Sequence, residues 1–437
     1  PSSFTVGSVI TSGGTVVSGY LNNTNTAVII FVPIVNDATL NGGIVQVRAR
    51  VNAADYQLLA SETINNINEI KQISISEAVI SALDGFSEGA VLTFDAVITD
   101  TASNSTNGSS SSTTLIVDQQ SPSIFESTAI PSPSDNATPS VVITSDESGV
   151  ITSSLEIAAG SDISAEVGNN TVNFTLYAGT YENETITVTD AAGNAGSTIL
   201  TSFTIDTTAP SIFESTAIPS PSDNATPSVV ITSDESGVIT SSLEIAADSD
   251  ILAEVGNNTV NFSILNDGTY SPTITVTDAA GNAGSVTLTS FTIDTNAPSS
   301  FTVGSVITSG GTVVSGYLNN TNTAVIIFVP IVNDATLNGG IVQVRARVNA
   351  ADYQLLASET INNINEIKQI SISEAVISAL DGFSEGAVLT FDAVITDTAS
   401  NSTNGSSSST TLIVDQQSPS IFESTAIPSP SDNATPS

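Results

Sequence analysis

Apolar and polar residues alternate with period two along much of this chain. Thr185-Ile186-Thr187-Val188-Thr189 is the clearest run, and parts of Val172–Leu176 and Ser197–Ile205 follow it. Such alternation sends every second side chain to one face and predicts half-buried β-strands. Longer candidates are Ala27–Ile34, Gly43–Val51, Tyr56–Ile64, Glu69–Ser76, Ala90–Thr99 and Thr113–Val117. Turn signals separate the strands at intervals of about eight to twelve residues, the spacing of a β-sandwich. One segment breaks the pattern. Ser76 as N-cap, Glu77 in the first turn and Gly85 beyond the end predict a short helix over Glu77–Leu83, crossing between sheets.

The pattern is itself repeated. Residues 1–140 recur unchanged as 298–437, and the segment opening Pro122-Ser123-Ile124-Phe125-Glu126 returns 88 positions later at Pro210. This divides the chain into a larger domain 1–121, two smaller ones at 122–209 and 210–297 with seven short strands each, and the larger domain again at 298–418. Residues 419–437 are the opening of a further small domain, too short to bury a core alone. They are expected to be either a truncated domain or a strand donated to a neighbouring chain. Short linkers near Pro122, Pro210 and Pro298 predict a head-to-tail rod of about 40 Å per domain, about 120 Å per three.

Composition narrows the functions. Acidic residues outnumber basic ones 44 to 6, for a net charge of −38. The six cations are Arg48, Arg50, Lys71 and their copies Arg345, Arg347 and Lys368, so 122–297 carries none. Nucleic acid and anionic lipid both need clustered cations, and neither is expected as a partner. No run of apolar residues is long enough to span a bilayer, so direct membrane insertion is not expected. The chain has no His, Cys, Met or Trp. Nucleophilic Ser–His and Cys–His pairs are therefore impossible, and a carboxylate pair would lack aromatic walls for a sugar. The chain is expected not to be an enzyme. A long repetitive protein without oxidisable sulfur suits an extracellular or cell-surface setting.

The motifs TVTDAAGNAG (187–196) with SFTIDTTAP (202–210), TVTDAAGNAGSVTLTSFTIDTNAP (275–298) and TPSVVITSDESGVI (138–151, 226–239) resemble the bacterial Ig-like repeats of giant surface adhesins. The resemblance covers most of both smaller domains and is less sharp for the larger one. It implies an all-β architecture of tandem immunoglobulin-like Greek-key sandwiches in a long surface-attached or secreted filament. Its roles would be spacer, adhesive or fibre material, and fold analogy does not choose among them. The first reading is a structural segment providing reach and mechanical continuity, partnered by other copies of the repeat. The alternative is a binding module whose larger domain recognises a glycan or protein, suggested by its helix and by the Ser-rich stretch 104–114, which reads as a mobile hairpin tip.

Several residues ask for chemistry. Tyr181 and Tyr270, each in a Gly-Thr-Tyr triplet, stand where a tyrosine corner ties a Greek-key sandwich. Lys71 shares strand parity with Ile73 and Ile75, so it either snorkels to water or points inward toward an isopeptide bond. Acidic residues gather where one domain should meet the next, because the B–C and F–G turns face the last strand of the preceding domain. At the first junction these are Asp118, Asp146, Glu147, Asp190 and Asn194. The second has Asp206, Asp234, Glu235, Asp278 and Asn282, and the third Asp294, Asp334, Asp397 and Asn401. Hard oxygen donors crowded in this way suit interdomain Ca²⁺, the alternative being Asx turns with solvated acids.

Overall fold

The computed structural model describes residues 1–422 apart from 162 and 250. The expectation of a truncated or donated strand at 419–437 therefore lies almost wholly outside the described residues. The chain separates into two compact units, Pro1–Thr208 with Ala279–Asn282, and Ala209–Asp278 with the chain from Ala283 onward. In the first a larger sandwich precedes a smaller one, and in the second the order is reversed.

The larger sandwich of the first unit packs two sheets. One is ordered β1 (Val9–Ser12), β3 (Ala27–Ile34), β6 (Glu69–Ser76). The other runs β2 (Tyr20–Leu21), β9 (Leu115–Val117), β7 (Val91–Thr99), β4 (Ile44–Val51), β5 (Gln57–Thr63), with β8 (Ser105–Asn107) also on β7. The alternation in sequence becomes alternation in burial. Val28, Ile30, Val32 and Ile34 of β3 and Val45, Val47, Ala49 and Val51 of β4 face one another in the core, around Phe94. Pro33 is tolerated in β3 because β1 pairs only with Ala27–Ile30, so the missing N–H falls where β3 has no neighbour on that side.

The helix is shorter than expected: α1 is the single turn Glu77–Ile80, and Ser76 makes no side-chain capping bond. It does connect β6 in one sheet to β7 in the other. The Ser-rich stretch corrects a second expectation. Instead of a free tip, Ser105–Asn107 pairs with β7, Thr5 bridges Ser109 in parallel, and the buried Ser111 donates its hydroxyl to the Gly7 carbonyl at 2.6 Å. Serine-rich composition signals a loop, but here neighbouring backbone supplies its hydrogen bonds.

The cations are consumed locally. Arg48 grips the buried Asp95 through Nε (2.9 Å) and Nη2 (2.6 Å), and Arg48 and Arg50 both lie over the ring of Tyr56. Lys71 ends 3.0 Å from Glu62, the snorkelling outcome. The larger sandwich of the second unit repeats this architecture around Phe391.

The smaller sandwich of the first unit has one sheet of β10 (Ile124–Thr128), β11 (Ser140–Ser145) and β14 (Gly168–Asn173). The other is ordered β13 (Ser164–Ala165), β12 (Gly149–Ser153), β16 (Thr185–Thr189), β17 (Ala195–Ile199). A further ladder pairs β15 (Gly179–Tyr181) with β18 (Phe203–Ile205). Tyr181 opposite Phe203 and Thr185 opposite Ile199 keep one register, so β15–β16 and β17–β18 are two strands, each interrupted once. Counted that way the sandwich has the seven strands the sequence predicts. The Tyr181 hydroxyl donates to the Tyr177 carbonyl (2.9 Å) while its ring stacks on Phe203 (5.2 Å). Tyr270 does the same in the second unit, on Asn266 and Phe291. Both are tyrosine corners.

Phe203 is 2% exposed. Phe203→Ala is expected to destabilise this sandwich by about 3–5 kcal/mol, and Tyr181→Phe by about 1 kcal/mol. Hydrogen exchange of the β14 and β16 amides in the full chain checks both.

Candidate metal centre

The last residue of one sandwich and two turns of the next meet in the first unit. Asp118 follows β9, Asp146 and Glu147 lie between β11 and β12, and Asp190 and Asn194 lie between β16 and β17. The β16–β17 turn holds itself without a metal. Asp190 Oδ1 accepts the amides of Ala192 (2.8 Å) and Asn194 (2.9 Å), an Asx turn that aims the Asn194 side chain upstream. The fully buried Asn194 then donates through Nδ2 to Asp118 O and Oδ1 (both 3.0 Å) and Asp190 Oδ2 (2.9 Å), and its Oδ1 accepts the Asn23 amide (2.9 Å).

The acids around this amide repel one another. Burial, with the charges of Asp190, Glu88 and Glu147, pushes the Asp118 carboxyl up to about 6. Glu147 is raised as well, by burial first and then by Asp190, Asp146 and Glu88. Asp118, Glu147 and Asp190 are thus brought together as expected. Glu88, from the turn before β7, joins them and was missed, because nothing in its local sequence marks it. Asp146 is committed elsewhere, accepting the Ser123 amide at 2.6 Å. Asn194 presents its nitrogen, not its oxygen, to the carboxylates. The carboxylates gathered here are therefore Asp118, Glu147, Asp190 and Glu88. Asp190 already spends both oxygens on the turn and on Asn194, and no three of the four place oxygens within 4.8 Å of one another among the described residues.

The second unit repeats the geometry with a larger sandwich downstream. Asn401 Nδ2 donates to the Asp294 carbonyl (2.7 Å) and Asp397 Oδ2 (3.0 Å). Asp294 is raised by burial and by the charges of Asp397, Asp267 and Asp334, against a lowering bond from the Asn296 amide. Asp334 also caps a short 3₁₀ turn, accepting the amide and hydroxyl of Thr336. The identical turn residues of the first sandwich, Asp37 and the buried Asp100, are lowered instead by hydrogen bonds from Thr39 and Asn104. Of the remaining predicted residues, Asp206 offers its carbonyl to Asn282 Nδ2 (2.8 Å) within the first unit. Within the second, Asp234 accepts the Ser211 amide (2.7 Å), Glu235 bonds Ser233 through its backbone, and Asp278 directly follows the strand Thr273–Thr277.

These sheets and turns define a protein of tandem immunoglobulin-like β-sandwiches. More narrowly, residues 221–295 match the family model of a bacterial Ig-like domain. Residues 133–207 carry the same pattern 88 positions earlier. Among curated proteins none matches the chain. Similar solved structures include titin domains A168–A170, at 9% identity and a TM-score of 0.30, covering 67% of this chain and 99% of that one. Latent PorU of Porphyromonas gingivalis is similar at 13% identity and a TM-score of 0.16, over 70% of this chain and 35% of that one. The α-2-macroglobulin of Escherichia coli is similar at 10% identity and 0.18, over 94% and 44%. Among the described residues, no helix is long and apolar enough to cross a membrane.

A raised carboxyl makes its stabilising contribution below its unfolded value near 3.8 and loses it as pH rises through about 6. Acidification from pH 7 to pH 5 in chelator is therefore expected to raise the melting temperature. Asp118→Asn should raise it already at pH 7, by an added stability of about 1 kcal/mol after allowing for solvent screening, and should flatten the dependence. Calorimetry across that range checks both.

Proposed function

We propose that this chain is a structural segment of a long extracellular filament or adhesin stalk on a bacterial surface, providing reach and mechanical continuity without catalysis. The observation that carries this reading is the unchanged return of 140 residues, 297 positions on, within a series of Ig-like sandwiches. A unique binding site does not need copying, whereas length does. Its partners are other copies of the same repeat. The glycan- or protein-binding alternative loses half its motive once the Ser-rich stretch is seen to be paired into the sheet rather than displayed.

Ca²⁺ is the ion we propose at the first and third acidic clusters, where Asp118, Glu147, Asp190 and Glu88 in one and Asp294, Asp334 and Asp397 in the other would have to close around it from a wider spacing. It would supply the positive charge that neither cluster finds in the chain and would displace the proton that Asp118 otherwise takes up near pH 6.

Pulling a single chain between its ends is expected to give stepwise unfolding with two contour increments. These are about 250–280 Å for the smaller sandwiches and about 360–400 Å for the larger ones, after subtracting about 40 Å of folded length. One undivided event, or increments of neither size, would overturn the segmental reading. At 10 mM Ca²⁺ and an affinity of about 10⁻⁴ to 10⁻³ M, each occupied cluster should gain about 1.4–2.7 kcal/mol at pH 7. A melting temperature indifferent to chelator would remove the calcium proposal and leave the filament reading standing.

A further inference from the structure

The end of the larger sandwich is built differently from the end of the smaller one. Between β1 and β3 the larger sandwich carries the loop Gly13–Asn25, folded on its own side chains. Asn25 Nδ2 donates to the Gly13 and Thr15 carbonyls (3.0 and 2.8 Å), its Oδ1 accepts the Asn22 amide (2.9 Å), and Asn22 Oδ1 accepts the amide and hydroxyl of Thr24. Asn22 Nδ2 reaches out of this loop to the Ala192 carbonyl (2.7 Å), and the Asn23 amide reaches to Asn194 Oδ1 (2.9 Å). The loop thus holds the Asp190-Ala-Ala-Gly-Asn194 turn of the next sandwich by its backbone and its asparagine, burying Asn22, Ala192 and Asn194 completely.

The fit turns on Gly193. Its φ is +91°, and a Cβ there would stand 3.0 Å from both Thr15 Cγ2 and Val17 Cγ2, hemmed in from two sides. The equivalent turn of the larger sandwich reads Asp100-Thr-Ala-Ser-Asn104, with the same Asx bonds to Asp100 Oδ1 and Ser103 at φ 68°. Serine therefore adopts this turn, but it carries the atoms for which the Thr15–Val17 wall has no room. The end of the smaller sandwich makes no such demand. There Asp294 receives Asn401 from a turn with Ser400 at φ 84°.

We infer that loop Gly13–Asn25 is a docking cradle selective for the Asp-Ala-Ala-Gly-Asn turn of a smaller sandwich, and that it bars a larger sandwich from following a larger one. Gly193 is the specificity-determining residue, Thr15 and Val17 form the excluding wall, and Asn22 and Asn23 are the positive contacts. Loop 310–322, identical in sequence, keeps the same internal bonds, with Asn319 Nδ2 on the Thr312 carbonyl (2.7 Å) and Asn322 Nδ2 on the Gly310 carbonyl (2.9 Å). It offers the same cradle to a sandwich with a glycine turn. The order of sandwiches is then written into the junctions, whatever the array is used for.

The test is Gly193→Ser in the full chain, read by hydrogen exchange at the Asn23 amide, which is bonded only across this contact. Exchange should accelerate about tenfold while β14 and β16 amides keep their protection. Adding Thr15→Ala and Val17→Ala should restore the slow rate by opening the wall, and Asn22→Ala in the unaltered turn should reproduce the acceleration. An unchanged Asn23 rate in Gly193→Ser overturns the proposal. So does an acceleration that the wall variants fail to reverse, since strain within the turn would then be its cause. If Gly193→Ser unfolds the smaller sandwich, the Asn22→Ala result decides: an unchanged Asn23 rate overturns the cradle.

Discussion

Two sheets stay face to face only if each strand gives every second side chain to the space between them, and here that space is filled almost wholly by Val, Ile, Leu, Ala and Phe. With no disulfide and few aromatics, this aliphatic packing is what chiefly holds the sandwiches closed. Each core is correspondingly self-contained: one draws on residues 4–117, another on 130–205. The outward faces are then left to Thr, Ser and Asn, and the acids concentrate in the turns at the ends. Where one sandwich ends on another in either unit, the chemistry is therefore the chemistry of turns.

At those ends the same bond returns. An asparagine in the β-turn of one sandwich donates its amide to the backbone carbonyl of the aspartate that closes the sandwich before it, as Asn194 does to Asp118 and Asn401 does to Asp294. A backbone acceptor fixes position whatever the protonation state of the nearby carboxylates. The acids crowd around a contact that is already made, so proton or cation modulates the junction rather than creating it. Asp118 and Asp294, which close one sandwich and lie against the turn of the next, are raised by burial and neighbouring acids, whereas Asp37 and Asp100, in the turns of the first sandwich, are lowered by their hydrogen bonds.

Much of the fold was legible in the sequence because the long strands are regular. Ala27–Ile34 and Glu69–Ser76 are strands to the residue, since an unbroken alternation has only one way to bury its apolar half. β1, β2 and β8 were not legible, being short segments amid Gly, Ser and Asn whose pairing is decided by the partner strand rather than by their own pattern. The helix was read too long because Ser76 and Gly85 mark plausible ends, whereas Ile80 already reaches the core after one turn. At the candidate site the turns that converge were readable from strand order. The direction of the Asn194 amide and the arrival of Glu88 were not, because both depend on how one sandwich is seated on the next.

The parallel pairing at the sandwich edge has a mechanical meaning. β2 lies near the start of the larger sandwich and β9 at its end, yet they run side by side in the same direction, as do Thr5 and Ser109. Tension applied at the two termini would pull these neighbours past each other along their length. Their hydrogen bonds would then share the load at once instead of opening one after another like a zipper. A ladder loaded in shear must break its bonds together, so the few parallel pairs at this edge would set the force at which the sandwich opens by its ends.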